Sequence, residues 1–100
     1  MKDEEIYNAS VNQWGDDFNI TVAIGELAEL ITAITDWQRG RHDIKPVMEE
    51  IVDVQLMLNQ LRNILDAEPM YKALWRYKVD RLKQRLEGGI FDPKKGKRLK

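Results

Sequence analysis

The stretch FNITVAIGELAELITAIT, Phe18 to Thr35, carries only two charged side chains, Glu26 and Glu29, in otherwise neutral company. Its aliphatic residues Ile20, Ile24, Leu27, Ile31 and Ile34 recur every three or four positions, the period of an α-helix rather than a strand. Carboxylates set among apolar neighbours are costly unless something neutralises them. A second stretch repeats the arrangement. From Ile51 to Leu61 only Asp53 is charged, and Glu50 stands just before it. Val47, Ile51, Val54, Leu58, Leu61 and Leu65 again keep helical spacing. The chain therefore holds two acidic pairs at i, i+3 spacing, Glu26 with Glu29 and Glu50 with Asp53, one on each of two apolar helices.

Working outward from this pair of helices, the remaining sequence is helical too. A first helix is expected from about Asp3 to Trp14, with Ile6 or Tyr7, Val11 and Trp14 as its apolar side and Gly15 at its end. Asp16 or Asp17 can cap the second helix, which should stop around Gly40. Pro46 suits the first turn of the third. Pro69 marks the next break, and a fourth helix follows from about Met70 to Leu86, with Tyr71, Trp75, Val79, Leu82 and Leu86 as its ridge. Gly88 and Gly89 end it. No segment alternates with period two long enough to form a strand. The expectation is an all-α domain over residues 1–87, a bundle of about four helices, followed by a basic, flexible tail over residues 88–100.

Composition narrows the function classes. Sixteen Lys and Arg against 17 Asp and Glu leave a net charge of −1, which points to neither nucleic acid nor membrane. The tail has a basic run but no interleaved aromatics, so a solvated charge run explains it and nucleic acid is not an expected partner. The absence of cysteine excludes thiol catalysis, disulfides and thiolate metal sites. The N-terminus lacks the order of a signal peptide, and no apolar run is expected to span a bilayer. A soluble cytoplasmic protein is the expectation.

At about 100° per residue, Glu26 falls at the margin of the second helix's apolar arc, bracketed by Val22, Ala33 and Trp37, with Glu29 slightly further round. Glu50 projects between Met57 and Leu61, inside the apolar face of the third helix, and Asp53 lies beside Ile64. Packing the two helices along their ridges brings both pairs to one pocket. A lone pair at this spacing is ordinary on a solvated helix, and Glu49 fits that description. Two pairs in an apolar frame call for a cation. Donors that are all oxygen favour Mg²⁺, with Mn²⁺ as substitute, over zinc or copper. The single histidine, His42, lies in a loop, so the Glu-x-x-His pattern of di-iron bundles is missing. A cation held by carboxylates commonly binds phosphate oxygens as well. Lys78, Arg81 and Arg85, at i, i+3, i+7 on the fourth helix, supply charge for a phosphate clamp. Snorkelling of their stems over the core is the competing explanation.

Gly25-Glu26-Leu27-Ala28-Glu29-Leu30, then Glu50-Ile51-Val52-Asp53-Val54, resembles the ExxE…ExxD signature of the MazG-like all-α nucleoside triphosphate pyrophosphohydrolases. Trp14-Gly15, Arg39-Gly40 and Lys78-x-x-Arg81-Leu82-x-x-Arg85 extend the likeness over roughly residues 10 to 87, as in compact single-domain members. The resemblance implies a bundle completed by oligomerisation, as homodimer or homotetramer. It implies Mg²⁺-dependent hydrolysis of a (deoxy)nucleoside triphosphate to monophosphate and pyrophosphate, in nucleotide-pool sanitation or turnover. It makes Glu26, Glu29, Glu50 and Asp53 both metal ligands and catalytic residues. Asn19, Trp14, Trp37, Lys78, Arg81 and Arg85 become substrate-binding residues. Trp14 and Trp37 are placed to stack a base, or equally to serve as core or interface aromatics. Two positions depart from the family pattern: Asn19 stands where relatives have Gln, and Gly25 where many have Glu. These departures favour the alternative, a non-catalytic helical adaptor that binds nucleotide or metal.

Overall fold

The computed structural model describes residues 1–41 and 43–88; His42 and the basic tail beyond Gly88 lie outside the described residues. Four helices account for nearly all of them: α1 (Asp3–Trp14), α2 (Asp16–Gln38), α3 (Lys45–Leu65) and α4 (Glu68–Glu87). No strand occurs among the described residues, and the all-α expectation holds. The chain divides into two compact units, residues 1–66 and 67–100, so α4 is described by itself.

In the first unit α2 and α3 pack along each other, and α1 lies more lightly against both. The covered stripe of α2 is not the predicted one. Asn19, Ala23 and Ala33 are buried, and Val22, Glu26 and Leu30 are half-buried. Of the expected core ridge only Ile20 is half-buried; Ile24, Leu27, Ile31 and Ile34 are exposed, Ile24 and Ile31 to 64% and 66%. The physical reason is size. Ala23 and Ala33 let α3 approach closely, and the stripe one residue round from the bulky ridge is the one that admits this contact. Glu26 consequently sits on the covered stripe rather than at its margin. On α3 the covered side carries Val47, Glu50, Ile51, Val54, Met57, Leu61 and Ile64, while Leu58 and Leu65 face outward. Glu50 is therefore where its direction placed it, in line with Met57 and Leu61.

Two element boundaries and the docking of α1 differ from expectation. Neither Asp16 nor Asp17 caps α2. Gly15 is the N-cap, at φ 85°, and both acids lie in the first turn, where they complement the helix dipole. Helix α4 begins at Glu68, so Pro69 falls inside its first turn instead of ahead of it. Helix α1 docks through polar groups as much as apolar ones. Tyr7, Ser10 and Val11 are half-buried, whereas Ile6 and Trp14 are exposed to 45% and 57%. The Ser10 hydroxyl lies 3.0 Å from Asn19 Oδ1 and 3.3 Å from Gln60 Oε1, to share one proton between them. Asn59 donates to the Tyr7 hydroxyl at 3.0 Å, and Asn63 donates to Asn8 at 2.8 Å.

Helix α2 also exceeds the expected limit on apolar runs. Its 23 residues reach a mean hydropathy of 1.4 over an 18-residue window, enough by length and composition to cross a membrane. Glu26 and Glu29 oppose that use, because a carboxylate in mid-membrane costs about 3 kcal/mol on insertion scales. Gly25, next to them, has open space where a Cβ would stand, so close packing does not explain it. Gly25→Ala should raise stability by about 1 kcal/mol, read from urea denaturation, since the substitution removes only the helix-propensity penalty.

Candidate metal centre

Glu26 and Glu29 project from successive turns of α2, and Glu50 comes from the second turn of α3. One carboxylate oxygen from each lies within 4.8 Å of the other two. Glu26 and Glu50 are half-buried and Glu29 is exposed, which leaves Glu29 at the mouth of the group. Asp53 is half-buried, and its charge acts on both Glu26 and Glu50. The sequence pairs therefore converge, with three carboxylates in the tight group and the fourth close enough to be felt.

The electrostatics are unfavourable for the protein alone. Oε2 of Glu26 and Oε2 of Glu50 are shut off from water and accept no hydrogen bond. Burial pushes the Glu26 carboxyl above its ordinary value of 4.5, with the charges of Glu29 and Asp53 adding to it. Glu50 is raised first by burial, then by a hydrogen bond with Glu29 and by the charges of Glu29, Glu26 and Asp53. No lysine or arginine bonds to any of the four among the contacts of the described residues. Close carboxylates with orphaned buried oxygens fit a hard divalent cation, which takes oxygen ligands and cancels the repulsion. Glu26, Glu29 and Glu50 could hold one such ion, with Asp53 as a further ligand or as a base beside it.

A pH dependence follows. Carboxyls raised in the folded state bind more protons folded than unfolded, so stability falls as pH rises. The loss begins near 4.5 and is complete above the raised folded values. Thermal melts of metal-free protein should therefore show stability decreasing as pH rises from about 4.5 through the raised folded values, and saturating Mg²⁺ should flatten that slope. A flat slope without metal would show that the carboxylates are not in conflict.

The other expected site residues distribute differently. Asn19 is buried and used inside the fold: its amide nitrogen donates to the carbonyl oxygen of Gly15 at 2.7 Å and to that of Ser10 at 3.4 Å. Asn19 lines neither the carboxylate group nor the groove beside it. Trp14 packs against Phe18 with ring centres 6.2 Å apart, and Trp37 is 47% exposed. Neither tryptophan lines that groove. Lys78, Arg81 and Arg85 are exposed on α4, with the Arg81 guanidinium 5.9 Å from the Tyr77 ring centre. The apolar ridge expected on α4 has no buried member; Tyr71 and Trp75 stack on its surface at 6.3 Å. Sequence reading missed the groove itself. It is an open cleft of about 440 Å³ lined by Ala28, Glu29, Thr32, Ala33, Asp36 and Glu50. The signal was present in the small residues Ala28, Thr32 and Ala33, one before and three and four after Glu29, but no motif marked it.

Comparison of the chain with protein-family models, curated proteins and solved structures finds no match.

Proposed function

We propose that the chain is a Mg²⁺-dependent nucleoside triphosphate pyrophosphohydrolase, a hydrolase acting on phosphoric anhydrides. The observation that carries this reading is the convergence of Glu26, Glu29 and Glu50 within 4.8 Å, with buried, unpartnered oxygens on two of them. In this reading Glu26 and Glu50 anchor the ion from opposite helices, Glu29 completes the group at its open side, and Asp53 lies behind. The ion, when bound, supplies charge neutralisation for the phosphate oxygens and the leaving pyrophosphate. A carboxylate of the group accepts the proton of the attacking water. The water oxygen bonds to the α-phosphorus as its bond to the bridging oxygen breaks. Lys78, Arg81 and Arg85 are assigned to phosphate oxygens by their charge and spacing.

The chain is further proposed to work as a homodimer or homotetramer in the cytoplasm, without a membrane or nucleic-acid partner. The exposed ridge of Ile24, Leu27, Ile31 and Ile34 supports an oligomer, since aliphatic rows of this length gain by being covered. Light scattering at micromolar concentration should give at least twice the mass of one chain; a monomer would remove this part of the reading. A second reading, a nucleotide- or metal-binding adaptor without chemistry, is favoured by the internal use of the Asn19 amide. Incubation of the protein and Mg²⁺ with common and modified (d)NTPs separates the two. Pyrophosphate release selects the enzyme, and tight nucleotide binding without release selects the adaptor.

A further inference from the structure

The uncovered ridge of α2 keeps a stricter period than a helix packed on a globular core. Ile20, Ile24, Leu27, Ile31 and Ile34 follow one another at alternating steps of four and three residues, and Asp17 and Gln38 continue the alternation at the two ends. That is the 3.5-residue repeat of a coiled-coil seam, sustained from Asp17 to Gln38. Ile20 is half-buried and the other four aliphatic residues are exposed, so the seam is left uncovered among the described residues. At 100° per residue, Glu29 and Asp36 of the groove fall on the opposite side of α2. A helix seated on the seam therefore leaves the carboxylates accessible.

A second copy of α2, laid antiparallel, satisfies this seam. With Ile24 beside Ile34 of the partner subunit, Leu27 meets the partner's Ile31 and Ile20 meets the partner's Gln38. Each of these layers recurs across the two-fold axis, as an isologous contact requires. The same register brings Asp16 and Asp17, exposed in the first turn of α2, to the partner's Arg39 and the partner's Arg41. Between Asp16 and Gln38 there is no lysine or arginine, and Arg39 and Arg41 follow the helix end. A parallel pair sets Asp16 and Asp17 against their own copies and aligns the two helix dipoles, both unfavourable. Thr21, Ala28 and Thr35, one position beside the seam, carry no charge to offset that cost.

We infer that α2 forms an antiparallel two-helix seam with α2 of a second copy, in the register that pairs Ile24 with Ile34 of the partner subunit. This arrangement rests on the homo-oligomer reading and is separate from the reaction assigned to the carboxylates. Its direction follows from opposite charges at the two ends of one helix, and its partner from the self-complementary spacing of one row of side chains.

The test uses the full chain, which has no cysteine of its own. Ile24→Cys equilibrated with Ile34→Cys should give a disulfide-linked pair on mild oxidation. Neither variant should link to itself. In this register the two copies of residue 24 lie about 15 Å apart along the axis, at 1.5 Å per residue, beyond the reach of a disulfide. Ile31→Lys puts a charge into the seam twice and should at least halve the mass read by light scattering at micromolar concentration. Helicity and Mg²⁺ affinity should not move, because Ile31 is exposed and lies away from Glu29. Self-linking of Ile24→Cys, failure of the mixed pair to link, or an oligomer whose mass survives Ile31→Lys overturns this inference and leaves the homo-oligomer reading standing. A monomeric wild-type chain overturns both.

Discussion

Glu50→Gln should abolish pyrophosphate release and at the same time make the metal-free protein more stable. The two effects have one cause. Glu50 is raised by burial and by its acidic neighbours, and one of its oxygens is shut off without a partner. Gln keeps the shape, removes a charge from the repelling group and supplies a donor that Glu29 can accept. The same change weakens the site proposed to hold a divalent ion. Charge stabilisation by such an ion is worth several kcal/mol in a phosphoryl-transfer transition state. At roughly 1.4 kcal/mol per factor of ten, a loss of about a thousandfold in kcat/KM follows. Chemical denaturation at pH 7 without metal, alongside a pyrophosphate assay, checks both halves. A residue that merely supports the fold gives the opposite stability sign. Loss of activity together with loss of stability would therefore remove Glu50 from the metal centre.

Asn19→Ala should act in the reverse sense, with stability lost and the cation site retained. The Asn19 amide bonds to two main-chain carbonyls, those of Gly15 and Ser10, and its oxygen accepts from the Ser10 hydroxyl at 3.0 Å. These bonds join the end of α1 to the start of α2, and through Ser10 they reach Gln60 on α3. Removing the side chain leaves buried polar groups without partners, each costing about 1–3 kcal/mol. A net loss of about 2 kcal/mol is expected, which lowers the melting temperature by roughly 10 °C for a domain of this size. Mg²⁺ affinity should change less than threefold, because Asn19 lines neither the carboxylate group nor its groove. A stable variant with weakened Mg²⁺ or nucleotide binding would return Asn19 to the substrate site.

These two residues also show what the sequence made legible. Helical periodicity and the Gly and Pro punctuation placed all four helices to within about two residues. The direction of Glu50 could be read because Met57 and Leu61, about two and three turns beyond it, fix the covered side of α3. The covered side of α2 could not be read in the same way. Two stripes compete there, a bulky one through Ile24 and Ile31 and a small one through Ala23 and Ala33, and periodicity favours the bulkier. Packing distance decides between them, and packing distance is a tertiary property. Asn19 was legible as a polar residue at a privileged position, but not as an internal one, because its partners Ser10 and Gly15 lie on and beside another helix. The groove escaped for the same reason. Its floor is an absence of side-chain bulk, and Glu50 reaches it from another helix.

The carboxylate centre gives an economical account of features that are otherwise costly. Acidic residues interrupt the two most apolar helices, one oxygen each of Glu26 and Glu50 is buried without a partner, and a divalent ion bound there would relieve the repulsion, as protons do. The measurement that bears most directly on this account is phosphorus NMR of the intact chain with a panel of (d)NTPs, with and without Mg²⁺. The account predicts Mg²⁺-dependent appearance of nucleoside monophosphate and pyrophosphate in equal amounts from at least one nucleotide. Release of orthophosphate with a diphosphate product, or no turnover while Mg²⁺ is bound, would contradict it.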